Sequence, residues 1–195
     1  MKIIEPSAEL VDEINPEQIL KKIEMCGKVS RQSTLGDAEN FVRSIIKRGH
    51  ESVLEHVSLT FKIICDRAIM AELTRHRLAS FTVESTRYVK YDELTIIHPT
   101  LKTNEAIIAF HWSIREHERN YQMFIKNGAT PEQARAVLPL CLATELYMTA
   151  NLRELRHILK LRTDKAAHPQ MRQIMNQILA VFKEKLPVIV EDIKS

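Results

Sequence analysis

A chain of 195 residues, 45% of them hydrophobic, is long enough to bury a full core as one domain, 1–195. Its formal net charge of +3 is too mild to demand a nucleic acid polymer as partner, and no run approaches the ~20 apolar residues of a membrane span. The opening MKIIEPSAEL lacks the basic and apolar regions of a signal peptide, so a cytoplasmic protein is expected; Cys26, Cys65 and Cys141 are odd in number and widely spaced, which fits reduced thiols better than disulfides or a zinc site.

Asn15, Pro16 and Gln18 read as an N-cap, a first-turn proline and an N3 glutamine opening a helix that carries Ile19, Leu20 and Ile23. A second helix follows Asp37, carries Phe41, Val42, Ile45 and Ile46, and stops at Gly49. Val57, Leu59, Phe61 and Ile63 alternate with Ser58, Thr60 and Lys62, the period of a half-buried strand. Helical spacing returns from about Arg67 to Ala79, so Arg75, His76 and Arg77 fall near a helix end; Phe81 to Tyr88 reads as a loop entering an extended segment. A short strand over Leu94 to Ile97 ends at Pro99, and a long helix from about Thr103 to Lys126 ends at Gly128. Thr130, Pro131 and Gln133 repeat the cap pattern and start a helix that Pro139 terminates. Ala143 to Ala150 is open between strand and helix. Asn151 with Glu154 reads as a capping box launching a helix through Leu155, Ile158, Leu159 and Leu161, and a last helix runs from Pro169 to about Lys185. The fold class expected is α+β: a small, mostly antiparallel sheet packed against several helices.

With only four glycines there is neither GxGxxG nor GxxxxGK[ST], and no HExxH, GxSxG or His/Cys cluster at metal spacing occurs, so no metal site is expected. What recurs is arginine. RHRLASFTVESTRY, Arg75 to Tyr88, mixes guanidinium groups with hydroxyls, the donors that surround phosphate oxygens. Arg135, Arg153, Arg156 and Arg162 extend the theme, and Arg153 and His157 lie four residues apart on one helical face, where an anion between them would relieve repulsion. Composition alone favours a solvated basic face. A further cluster, GHESVLEH from Gly49 to His56, sets His50, Ser52, Glu55 and His56 between a helix end and a strand start. Its histidines are packing residues, contacts to a polar cofactor edge or proton shuttles, and spacing leaves all three open.

RHRLASFTVESTRY resembles the signature of the flavin-dependent thymidylate synthases, with Arg75, His76, Arg77, Ser80, Ser85 and Arg87 at its fixed positions. GHESVLEHVSLTF before it and ARAVLPLCLATELYMTANLRELRHILKLR after it extend the resemblance over most of the chain from Gly49 onward. Two departures stand out. Thr82 and Val83 sit where the pattern has Asn and Glu, and Ala167, His168, Pro169, Gln170 and Met171 follow Arg162 where it has Ala-Gln and then Glu-Ile.

The resemblance implies a homotetramer with active sites shared between subunits, binding FAD and dUMP, with NADPH and 5,10-methylenetetrahydrofolate as co-substrates and dTMP as product. It implies flavin contacts at Ser52, Glu55, Arg75, His76, Arg77, Val83, Asn151, Arg153 and His157. It implies dUMP contacts at Glu72, Arg75, Val83, Glu84, Ser85, Thr86, Arg87, Arg135 and Arg162, with Arg162 catalytic through the pyrimidine N3. A fixed guanidinium beside a uracil that has lost its N3 proton stabilises that anion. The alternatives are an enzyme of the same fold that methylates or hydroxymethylates another pyrimidine nucleotide, and a non-catalytic nucleotide- or RNA-binding module. An aromatic content of 6% disfavours the module, since single-stranded RNA is read by stacking on aromatic rings.

Overall fold

The computed structural model describes residues 1–193, the side chain of Arg31 excepted; Lys194 and Ser195, which the one-domain expectation includes, lie outside the described residues. In chain order the elements are β1 (Lys2–Ile4), β2 (Ser7–Leu10), α1 (Pro16–Lys28), α2 (Ala38–Lys47), β3 (Ser58–Asp66), α3 (Arg67–Leu73), β4 (Ser80–Val83), β5 (Thr95–Ile97), α4 (Asn104–Lys126), α5 (Pro131–Ala134), β6 (Ala143–Asn151), α6 (Leu152–Arg162) and α7 (Pro169–Lys185). Short 3-10 turns at Glu51–His56, Arg135–Val137 and Pro187–Ile189 join them. No helix is long and apolar enough to cross a membrane among the described residues.

The frame is an antiparallel sheet in the order β2-β3-β6-β4, beside a parallel pair of β1 with β5. β3 and β6 pair along their whole lengths, from Ser58 opposite Asn151 to Asp66 opposite Ala143. The alternation in β3 buries Leu59, Phe61, Ile63 and Cys65, and β6 adds Leu146, Met148 and Ala150 to the same face. Against that face α7 lays Met171, Ile174, Met175, Ile178, Leu179 and Phe182, with Ile23, Val42 and Ile45 from α1 and α2 in the same cluster. Each such side chain contributes about 1.5–3 kcal/mol by leaving water. The opposite face is polar: Thr60 and Thr149 share a hydroxyl hydrogen bond of 2.9 Å, and Lys62 pairs with Glu145 at 2.8 Å.

Caps behave as local chemistry predicts. Asn15, Asp37, Thr103 and Thr130 each accept from a backbone N–H of the first turn, and Thr130 with Gln133 completes a capping box. Gly49 (φ 70) and Gly128 (φ 89) follow α2 and α4 in the left-handed region.

Three expectations change, one open reading is decided and two unmarked strands are added. Ala143 to Ala150 is strand, because pairing with β3 on one side and β4 on the other satisfies its backbone. Ser80–Val83 is the strand β4 rather than loop, since it pairs with Leu146 to Thr149. Nothing local marked β1 and β2, edge segments defined by their partners β5 and β3. The helix expected to reach Ala79 stops at Leu73: Arg75 N–H and His76 N–H donate three residues back, to Glu72 and Leu73, and the tightened turn swings His76 inward. The segment before Pro139 divides into α5 and the 3-10 turn Arg135–Val137.

A buried polar tie fixes the start of α3 against α7. Asp66 caps α3 through Ile69 N–H, and Gln170, in the first turn of α7, donates to its Oδ2 at 2.7 Å while accepting from its N–H at 3.0 Å. An amide satisfies both halves of Asp66, whereas a second carboxylate would repel it.

Candidate active site

α3 and α6 bring three of the sequence-derived residues together at their C-terminal ends. Arg162 Nε donates to His76 Nε2 at 3.1 Å, and its Nη1 donates to Glu72 Oε2 at 3.2 Å. Its Nη2 reaches the Glu72 carbonyl at 3.5 Å, which leaves one N–H on each terminal nitrogen for a ligand, and its side chain is 20% exposed. His76 is buried, with Glu154 Oε1 3.5 Å from its Nδ1. Burial, with the Arg162 guanidinium and His157 adding to it, pushes the imidazole down to about 4. At neutral pH the ring is uncharged, so its approach to Glu154 is not an ion pair. Only half of the capping box at Asn151 forms: Asn151 Oδ1 accepts from Glu154 N–H at 2.9 Å, but the Glu154 side chain is among the buried groups facing His76.

Beside this junction lies a cavity of about 670 Å³ bordered by Glu51, Glu55, Leu78, Asn151, Arg153, Glu154, His157 and Lys160. Arg153 donates to Glu55 at 2.5 Å, so a carboxylate of the chain relieves the repulsion that the Arg153 and His157 spacing suggested. Ser52 is not in this cavity. It borders another, of about 400 Å³, with Lys28, Arg48 and His50.

A third group surrounds the turn after β4. Ser85 Oγ accepts from Arg87 N–H at 3.3 Å, and Arg87 Nε pairs with Glu132 at 2.8 Å. That bridge ties the Ser85, Thr86 and Arg87 turn to α5, one helical turn before Arg135. Glu84 is committed within the chain, accepting from the Tyr91 hydroxyl at 2.5 Å with Arg67 Nη2 3.7 Å away. Burial and that carboxylate hold the Tyr91 hydroxyl above its ordinary range, so it stays a donor. Val83 is half-buried against the core, while Thr82 is exposed on the polar face opposite Tyr147.

The arginines divide by environment. Arg75, Arg77 and Arg135 are exposed, and among the described residues their guanidinium groups have no partner. Such groups are ready to take an anion. Arg156, grouped with them from sequence, is fully buried and tied to Glu51 and Asp192, and it holds the chain end rather than a ligand. Among the described residues no group of three or more His, Cys, Asp or Glu is placed for a metal ion. Burial pushes the Cys65 thiol up to about 12 and Cys141 up to about 11, so neither is an activated nucleophile. Sequence reasoning missed Glu154, Lys160, Glu132, Arg67 and Tyr91 as neighbours of the site. Only Glu154 carried a local signal, and that signal was its backbone cap.

A family model described as thymidylate synthase complementing protein matches residues 9–188. A flavin-dependent thymidylate synthase of Thermococcus onnurineus is 37% identical over 164 residues, covering 78% of this chain and 66% of that protein. One of Pyrococcus horikoshii is 34% identical over 163 residues, covering 78% and 67%. The chain thus spans about two thirds of the length of these curated relatives. In fold it is similar to a UMP/dUMP methylase, PolB, from Streptomyces cacaoi, whose crystal structure was determined with 5-Br dUMP: the TM-score is 0.85 and the identity 24%, over 98% of this chain and 96% of that one. With a matching model over nearly its whole length, the chain belongs to the family of thymidylate synthase complementing proteins, the flavin-dependent thymidylate synthases.

Proposed function

We propose that the protein methylates dUMP reductively to dTMP, with 5,10-methylenetetrahydrofolate as one-carbon donor, NADPH as reductant and FAD as cofactor, tetrahydrofolate being the other product. The observation that carries the reading is Arg162, a guanidinium fixed on two sides by His76 and Glu72 with further donors turned outward. Beside a pyrimidine it would stabilise the N3 anion and make C5 more nucleophilic. Arg87, Ser85, Thr86 and Arg135 would hold the nucleotide phosphate, with Glu72, Arg75, Val83 and Glu84 along the nucleotide.

The residues present fit a phosphate-bearing flavin: Arg75 and Arg77 lack partners among the described residues, and the cavity near Asn151, Arg153 and His157 falls in the usual range for ligand sites, about 300–1,000 Å³. Ser52, Glu55, His76 and Val83 complete the proposed flavin set. When bound, FAD supplies the hydride chemistry, and the chain supplies orientation and charge. Ser52 and Asn151 border different cavities of one chain. That separation supports a homotetramer in which each site draws residues from more than one subunit.

Purified protein should be yellow and should release tritium from C5-labelled dUMP when given NADPH and methylenetetrahydrofolate. A colourless protein that takes up no FAD refutes the reading. Arg162→Lys keeps the charge but loses the planar fork, and should lower tritium release by roughly 100-fold. A second reading, changed pyrimidine specificity, is favoured by Val83 packing on the core where the family pattern has a glutamate. Product masses from dUMP, UMP and dCMP separate the two readings.

A further inference from the structure

The middle residue of the Arg75, His76, Arg77 triplet differs from its neighbours. Arg75 and Arg77 face solvent, whereas the His76 ring is buried between the ends of α3 and α6. Its surroundings fix its chemistry. Arginine carries only donors, so the nitrogen that meets Arg162 Nε–H must present a lone pair. A neutral ring then carries its proton on Nδ1, the atom facing Glu154 Oε1 at 3.5 Å. The titratable and charged groups around the ring are Glu72 from α3 and Glu154, His157 and Arg162 from α6.

We propose that His76 is a positioning residue: Glu154 holds it as the Nδ1–H tautomer, and its Nε2 lone pair fixes the plane of the Arg162 guanidinium. Glu72 anchors the far edge of the same guanidinium through Nη1 and, at 3.5 Å, its backbone carbonyl through Nη2. With Nε occupied by the ring, the outward N–H groups keep one direction. Glu154 also borders the cavity beside the junction. The imidazole therefore connects the wall of that cavity to Arg162, and an occupant of the cavity that shifts Glu154 would be felt at the guanidinium. The ring neither gives nor takes a proton in this role, and its low pKa of about 4 keeps it uncharged at working pH.

The inference rests on the assignment of Arg162 to the pyrimidine, and the first test is independent of that assignment. In the full chain labelled with ring-¹⁵N histidine, the signal missing from His76→Gln identifies His76. It should show a protonated Nδ1 and a bare Nε2, unchanged from about pH 5.5 to about pH 8.5. A ring protonated on Nε2, or one that titrates inside that window, overturns the proposal even if the enzyme is fully active.

The second test uses two amides. His76→Gln places an oxygen acceptor where Nε2 stood, and His76→Asn places an amide where Nδ1 stood and leaves Arg162 Nε–H unmet. His76→Asn should lower kcat by roughly 10–100-fold with little change in KM for dUMP, and His76→Gln should recover most of that loss. Equal losses in the two variants, or a loss confined to KM, overturn it. A wild-type protein that releases no tritium would instead refute the proposed reaction and leave the tautomer to the first test.

Discussion

Arg156 and Arg162 stand on the same helix, six residues apart, in opposite regimes. Arg156 is fully buried: its guanidinium meets Glu51 at 2.9 Å, Asp192 at 2.8 Å and the carbonyl of Ile189, so that α6, the turn before β3 and the chain end close on one another. Burial alone would raise the Asp192 carboxyl, yet hydrogen bonds from Arg156 and Lys160 hold it well below its ordinary range. Arg162 has one carboxylate, one neutral ring and, at 3.5 Å, one backbone carbonyl, and part of its surface faces water. Arg156 has both terminal nitrogens filled, its buried Nε alone lacking a partner, and holds structure, whereas Arg162 keeps terminal N–H groups available for chemistry. Residue type and helix are the same, so the difference lies in how many donors the fold has already used.

The contrast is tested most severely at its buried end. Arg156→Ala should destabilise the protein by about 3 kcal/mol or more, because it opens a packed site and leaves Glu51 and Asp192 with only the exposed Lys160 as cation. Urea unfolding measures this, and a loss below about 1 kcal/mol would place Arg156 in the same regime as the exposed arginines.

A second effect is a pH dependence belonging to His76. Its folded pKa of about 4 lies below its ordinary 6.5, so the unfolded chain binds the extra proton first as pH falls. The stability concerned is fully present above about pH 6.5 and is lost as pH drops toward 4, by up to about 3 kcal/mol. Unfolding of wild type and His76→Gln compared across that window should show the wild type falling more steeply; parallel curves would mean the ring is not held neutral.

The smallest effect belongs to the exposed pair at the cavity rim. Glu55 and Arg153 are about half exposed, so Glu55→Gln should change stability by less than about 0.5 kcal/mol. Its consequence should appear in FAD affinity, followed by fluorescence titration, since Arg153 is then released from its carboxylate.

The helices were legible because their signals are local. Asn15, Asp37, Thr130 and Pro169 announce starts through side chains that act within one turn. β1, β2 and β4 were not, because strands of three or four residues exist only through partners far along the chain. The arginine-rich segment was legible as anion chemistry, but not that its histidine turns inward, which depends on a helix ending at Leu73 rather than Ala79. By sequence pattern Glu154 is a cap and Arg156 a ligand-facing cation. Their actual roles depend on what α6 packs against, which periodicity does not encode.

Asp66 ends β3 and caps α3, and Asn151 ends β6 and caps α6, with no linking residue at either junction. The two strands are antiparallel, so these helices leave opposite ends of one ladder and meet again where Arg162 touches Glu72 and His76. About 27 Å of helix faces about 30 Å of strand, a ring of parts cut to length. One residue added inside α6 would carry Arg162 about 100° around the helix axis and open the ring. Segments outside it, such as the stretch between α1 and α2, are free to vary in length without moving the guanidinium.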